Sequence, residues 1–316
     1  VTAFCLSICL FTSIKAFAQD YPGLPTRSQN PFLQSYFIPT IPISTQQKLS
    51  ISHALYITNT YQIENTGNEN LVIDVENIRY DFQLGFSHSL WHFNLTLPLL
   101  SNGSGFLDQT IEGWHDFWGL PQGGRDSARN DQINLLYQKN GIDIINTQTA
   151  SQGVGDIQLA VGYQLSSNGQ FWFALEIPSS DNDLFISNQE VDVAFWYLTS
   201  AQLNNKLATY GSLGLSFPNN DGLFAGRMEK RVMFGQMGLK YAWYPRYQLL
   251  LQLDLHSRIA KDSALEALGH SLQAQFGLRM TPLFNQHQLD VFFSEDILPG
   301  YAPDITFGIR LSPMSF

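Results

Sequence analysis

Residues 247–258 read YQLLLQLDLHSR, with Leu249, Leu251, Leu253 and Leu255 on odd positions and Gln248, Gln252, Asp254 and His256 on even ones. Successive side chains of a strand face opposite sides of a sheet. This segment therefore has one aliphatic face and one polar face. The same period of two recurs in residues 48–61, 70–87, 90–99, 153–165, 170–178, 189–203, 206–217, 229–244, 269–280, 286–297 and 304–313. Segment 70–87 changes phase: Leu71, Ile73 and Val75 are odd, whereas Tyr80, Phe82, Leu84 and Phe86 are even. A bulge near residues 76–78 reconciles the two halves, as does an upper half that leaves the bilayer.

Strands that alternate apolar and polar, many of them long enough to cross a bilayer at about 9–11 residues, predict an all-β fold: a transmembrane antiparallel up-and-down β-barrel of about 12 strands. The connections alternate as well. Residues 166–169, 204–205, 244–247 and 283–286 are tight turns of the periplasmic kind. Residues 179–188, 218–228, 259–268 and above all 100–152 are longer, as extracellular loops are. Trp91, Trp172, Trp196, Trp243 and Tyr244 lie near strand ends and read as interface anchors. A soluble β-sandwich is the competing reading; the strand lengths and the leader argue against it.

The leader is residues 1–18, an apolar stretch closed by Ala16-Phe17-Ala18, the small-x-small pattern of a signal peptide. Cys5 and Cys9 both fall inside it, so no thiol chemistry is expected beyond residue 18. Residues 19–47 carry prolines at 22, 25, 31, 39 and 42. Proline donates no ladder hydrogen bond, so this is an extended lead-in, periplasmic or luminal, rather than a central strand. Residues 48–316 form the barrel. The formal charge of −10, one unit more negative once Lys15 departs with the leader, argues against nucleic acid as a partner. Beyond residue 18 no apolar run is long enough for a transmembrane helix.

Within the long loop, Leu107, Ile111, Trp114 and Trp118 have helical spacing, ending before Gly119 and Pro121. Residues 133–138 and 142–148 flank Lys139-Asn140-Gly141, a hairpin signal. The loop is thus structured. It caps the mouth, folds into the lumen or rests on the outer leaflet, and the pattern leaves the three open. The segments TRSQNP (26–31) and GWHDFWGLPQGGRD (113–126) resemble the domain of unknown function 3187 family of predicted Gram-negative outer-membrane proteins. That resemblance would span nearly the whole chain beyond the leader. It implies an exported barrel of the outer membrane and brings no substrate. Gly153-Val154-Gly155-Asp156 is also similar to strands in barrels proposed to import hydrophobic compounds.

Polar inward positions are the candidate transport residues: Asp156, Glu176, Asp192, Lys240, Asp254, His256, Arg279, Asp290 and Arg310, with Gln158, Gln252, Gln273 and Gln275 among them. A dozen strands leave an interior between the filled eight-stranded and the open sixteen-stranded cases. In the loop, Trp114, His115, Trp118, Arg125 and Arg129 are candidates for binding lipopolysaccharide, since arginine forks suit phosphate. Asp108, Glu112 and His115 share a helix face, the geometry of a metal or acid–base set but more simply of a solvated face. His53 is expected on the lipid side, where lipid-hydrolysing enzymes place a histidine, yet no outward serine accompanies it. No nucleotide fingerprint, HExxH or cysteine cluster is present, so no cofactor or metal is expected.

The reading that follows is a narrow porin-like channel for small solutes, gated or narrowed by loop 100–152, and not an enzyme. The alternatives are a closed barrel whose loop binds lipopolysaccharide or a partner, and a lipid-modifying enzyme. The expected partners are outer-membrane lipid, lipopolysaccharide and the barrel-assembly machinery, the last through the C-terminal strand and Phe316.

Overall fold

The computed structural model describes residues 23–25, 30–34, 37–40, 48–119, 130–179, 185–219, 226–283, 287–297 and 305–313. In chain order these give α1 (Pro31–Gln34), β1 (Leu49–Asn65), β2 (Glu69–His88), β3 (Trp91–Gly103) and α2 (Asp108–Trp118). Then come β4 (Asn134–Lys139), β5 (Ile142–Thr147), β6 (Ser151–Val154), β7 (Ile157–Ser166), β8 (Gly169–Ile177) and β9 (Asp192–Gln202). The chain continues through β10 (Leu207–Phe217), β11 (Val232–Tyr244), β12 (Tyr247–His256), β13 (Ser271–Leu283), β14 (His287–Asp296) and β15 (Ile305–Pro313).

Twelve of these strands, β1 to β3 and β7 to β15, pair with their chain neighbours in antiparallel register. β1 also pairs with β15, from His53 opposite Leu311 to Asn59 opposite Ile305, and so closes a barrel. Closure gives each of the twelve wall strands a partner on both sides. One end carries the short turns; the other carries the loops. There β4 and β5 form the expected hairpin and add to the upper end of β2, while β6 pairs with the top of β3.

Alternation sets the wall. Leu251, Phe276, Phe293 and Phe307 point outward and are exposed, while their neighbours Gln252, Gln275, Phe292 and Thr306 are buried inside. An apolar girdle on a closed barrel is a lipid face, and it points to the outer membrane of a Gram-negative bacterium.

Three details differ from the sequence reading. The β1–β2 register runs from Leu49↔Phe86 to Asn65↔Asn70 without a shift, so β2 has no bulge. Its phase change follows the other alternative, an upper half that rises above the girdle. Leu71, Ile73 and Val75 are buried on the inner face, whereas Asp74 and Glu76 point outward above the girdle. The interior at that height is apolar, which inverts the pattern. Second, the strand expected over 153–165 is broken into β6 and β7. The Gly155 N–H bonds to the Pro98 carbonyl at 2.9 Å, and a side chain at 155 would press within 2.7 Å of Leu100. Third, Trp172 and Trp196 are not interface anchors. Their even positions put them inside the barrel, fully buried; Trp91, Trp243 and Tyr244 are exposed near the short-turn end, as is Tyr247.

Candidate functional site

The interior holds four things: an aromatic belt, a charged ladder, a segment of the chain's own N-terminus and a docked set of loops. The belt follows from register. His92, Gly162, Trp172, Trp196, Gly214, Phe234 and His256 stand side by side on seven consecutive wall strands. Trp172 and Trp196 stack with centroids 5.9 Å apart and planes within 4°, and His92 stacks on Trp172 at 6.1 Å. Trp196 meets Phe234 at 6.2 Å across Gly214. The glycines matter because a Cβ at 162 would strike the Trp172 ring, and one at 214 would strike Phe234 and Trp196. Only a glycine lets the flanking rings close over it along the wall. Such ring pairs contribute about 0.5–1.5 kcal/mol each beyond burial.

The charged ladder lies on the other side. Arg279, Asp290 and Arg310 are direct partners on β13, β14 and β15. Asp290 accepts from Arg279 Nε at 2.7 Å and Nη2 at 3.0 Å, and from Arg310 Nε at 2.9 Å and also Nη2. All three side chains are buried. On β2, Arg79 and Asp81 form a second buried pair at 2.8 Å.

The N-terminal segment threads between these surfaces. The Gly23 carbonyl accepts from Nη2 of Arg310 at 2.9 Å and of Arg279 at 3.5 Å. The Gln252 amide bonds both backbone groups of Leu24: the N–H at 2.9 Å and the carbonyl at 3.4 Å. Gln158 does the same for Thr40, at 3.0 and 2.9 Å. These inward glutamines treat the segment as a neighbouring strand would. Between them, Phe32, Leu33, Phe37 and Ile38 are buried in one apolar cluster with Leu71, Trp172, Trp196 and Phe234. Phe32 packs edge-on against Phe185 at 5.4 Å and Tyr137 at 6.4 Å.

The loops complete the closure. Asp156 accepts the N–H of Ser179 at 3.2 Å and of Asn188 at 2.8 Å; Asp192 accepts the Asn219 N–H at 2.6 Å and the Asn188 amide at 2.5 Å. Across the mouth, the top of β1 and β2 receives loop 257–270. Glu64 accepts the N–H of Ala267 at 2.9 Å. Glu69 accepts the Ala264 N–H at 3.0 Å, the Ser263 hydroxyl at 3.1 Å, the Tyr137 hydroxyl at 2.8 Å and the Lys139 ammonium at 3.2 Å. Burial pushes the Glu69 carboxyl up, but these donors outweigh it and hold it below the usual carboxylate range. Burial dominates at Glu64 and raises it. A depressed folded pKa gives stability that is present above the unfolded value and lost as pH falls through the folded one. The Glu69 contribution to docking loop 257–270 is therefore expected at neutral pH and lost in acid, while the raised Glu64 works in the opposite direction, so the loss should centre on the Glu69 contacts at residues 263 and 264. Hydrogen exchange of residues 262–268, corrected for intrinsic rates, checks this; Glu69→Gln should weaken protection already at pH 7.

Of the sequence candidates, Arg279, Asp290 and Arg310 come together, and Asp156 and Asp192 share Asn188 as a partner. Glu176 is buried beside Asp192 in register. His256 is buried with its Nδ1 2.9 Å from the Ser257 carbonyl. Asp254 accepts from Gln252 at 3.2 Å, and Lys240 is half-buried nearer the short turns. In the loop, Trp114 is exposed and His115 half-buried on α2; Trp118 ends that helix, while Arg125, Arg129 and Phe316 lie outside the described residues. His53 meets the Tyr80 hydroxyl at 2.6 Å, not a serine. A Ser–His contact does occur inside the lumen: Ser87 Oγ is 2.9 Å from His92 Nδ1. Residue parity alone pointed to Trp172, Trp196 and Arg79; nothing in the pattern marked Phe32 or Phe37.

A solved structure with the same architecture is the COG4313 outer membrane channel from Pseudomonas putida F1, at 12% identity and TM-score 0.58, covering 85% of this chain and 96% of that one. The toluene transporter TodX from P. putida aligns at 10% identity and TM-score 0.45 over 91% and 93% of the two chains. The NanC porin aligns at 9% and 0.43 over 84% and 98%. Curated proteins give no significant match. The family described as "Protein of unknown function (DUF3187)" matches residues 2–312. On that match the chain belongs to the DUF3187 family.

Proposed function

We propose that this protein is an outer-membrane channel for small solutes, held shut chiefly by its own N-terminal segment, with the β4–β5 hairpin of loop 100–152 packed against that segment and α2 of the same loop outside the lumen. The observation that carries the reading is the way residues 23–25, 30–33 and 37–40 are bound. The segment is not part of the wall, yet it fills the interior through backbone bonds to Gln158, Gln252 and Arg310 and through four apolar side chains. In this reading, the passage that opens when the segment leaves is bordered by the aromatic belt and the charged ladder. Such a lining suits small solutes with an apolar face, because rings offer contact area while the ladder keeps a polar track beside it. The long loop contributes differently. Its hairpin extends β2 and lends Leu135, Tyr137 and Ile145 to the apolar cluster around the segment, while α2 is bonded to outward-facing residues.

Single-channel recording in planar bilayers tests the reading. The chain from residue 19 should show low or intermittent conductance, and a chain lacking residues 19–40 a large steady one. Removing α2 should change neither level. A protein silent in both forms would sink the channel reading. It would favour the closed barrel whose extracellular loop binds lipopolysaccharide or a partner. A lipid-modifying enzyme would instead alter lipid A or phospholipid masses in a manner abolished by His53→Ala or His115→Ala.

A further inference from the structure

α2 lies outside the wall. Glu76 points outward from β2, and its Oε2 accepts the N–H groups of Phe106 at 3.1 Å and Leu107 at 3.0 Å. Asp108, in the first turn, accepts from the outward Asn59 of β1 at 2.9 Å. Asn59 and Glu76 face each other one row above Ile57 and Ile78, where the apolar girdle ends. The helix is thereby fixed at the level where the bilayer stops.

At about 100° per residue, α2 has three sectors. Leu107, Asp108 and Ile111 are buried and His115 is half-buried, which marks the side toward the protein. One flank carries Gln109, Glu112 and Asp116. The other carries Thr110, Trp114 and Phe117, with Trp114 54% and Phe117 77% exposed. Hydrogen bonds orient the flanks. Asp108 accepts the Asp131 N–H at 2.8 Å, and Glu112 accepts the Asn130 amide at 3.2 Å. From there the chain runs to Asn134, opposite Asp74, farther from the girdle than Glu76. The acidic flank thus faces away from the bilayer, and the aromatic flank faces it.

We propose that α2 is a membrane-surface anchor whose Trp114 and Phe117 bed in the outer leaflet at the boundary of headgroups and acyl chains. Aromatic side chains favour that boundary, and an amphipathic helix lying in it keeps its charged side in water. The exposed Ile78 and Leu99 in the girdle's uppermost rows on β2 and β3, with Val154 beside Leu99 on β6, carry the apolar surface up to the helix. The acidic flank is turned from the lipid phosphates, as their shared charge requires. Anchored in this way, the helix steadies the loop against the rim and does not swing over the mouth.

The sequence has no cysteine beyond Cys9, so single-cysteine variants are clean probes. Thr110→Cys, Phe117→Cys, Glu112→Cys and Asp116→Cys would each carry a polarity-sensitive fluorophore in proteoliposomes containing lipopolysaccharide and doxyl-labelled phospholipid. Barrel closure of each is first checked by heat-modifiable gel mobility. Labels at 110 and 117 should be blue-shifted and quenched several-fold more by the doxyl lipid than by aqueous iodide, with the order reversed at 112 and 116. Iodide quenching at all four positions, a reversed flank order, or a 117 label shielded from both quenchers would each overturn the proposal.

Discussion

Replacing Asp290 by alanine is expected to destabilise the barrel by about 3–5 kcal/mol, the typical cost of leaving buried cations without their partner. The carboxylate satisfies two guanidinium groups at once, on strands either side of its own. Without it, Arg279 and Arg310 face each other across the vacated position in a buried site. The Gly23 carbonyl they also share is neutral and cannot replace the charge. Asp290→Asn should lie between, since it keeps the shape and loses the charge. The triple variant Arg279→Met, Asp290→Leu, Arg310→Met should recover much of the loss, because an apolar trio carries no desolvation penalty. Urea unfolding in detergent, followed by tryptophan fluorescence, measures all three. An Asp290→Ala barrel within about 1 kcal/mol of the parent, well under that cost, would mean the ladder is far wetter than its burial indicates.

That ladder also shows what the sequence could carry. A period of two separates the faces of a strand, and the twelve wall strands follow from it; the tight turns and the β4–β5 hairpin follow from turn residues, and α2 from its three-to-four-residue apolar spacing. The period does not say which face is inside. For Leu71, Ile73 and Val75 that depends on what fills the interior at their height, a property of other parts of the chain. For Trp172 and Trp196 parity decides and position along the strand does not: their even numbers match Glu176 and Asp192, and they lie inside with them. Arg279, Asp290 and Arg310 were each legible as inward, but their meeting needs the register of three strands, which turn lengths alone do not fix. The N-terminal segment left the faintest trace. It has no periodicity, and several of its bonds are made by backbone groups to the glutamines Gln158 and Gln252, so no side-chain pattern in residues 23–40 encodes where they go.

Those two glutamines give the second large effect. The double variant Gln158→Leu, Gln252→Leu is expected to turn a resident plug into a transient one. Each glutamine makes two bonds to one residue of the segment, and a protein hydrogen bond contributes about 0.5–1.5 kcal/mol net. Four lost bonds therefore weaken the closed state by at least about 2 kcal/mol, roughly a 30-fold rise in the ratio of open to closed barrels. Leucine keeps the volume and leaves the wall's backbone ladder intact, at the cost of the Gln252 bonds to Gln236 and Asp254, so the barrel itself should unfold only slightly below the parent's urea concentration. Recordings should show openings to the level of the chain lacking residues 19–40, with each single variant intermediate and the two effects additive in free energy. Gln158 and Gln252 hold Thr40 and Leu24, sixteen residues apart along the segment, so independence is the physical expectation for sites without shared partners. Unchanged open probability in the double variant would mean that the apolar contacts of Phe32, Leu33, Phe37 and Ile38 hold the segment without help from the wall's amides.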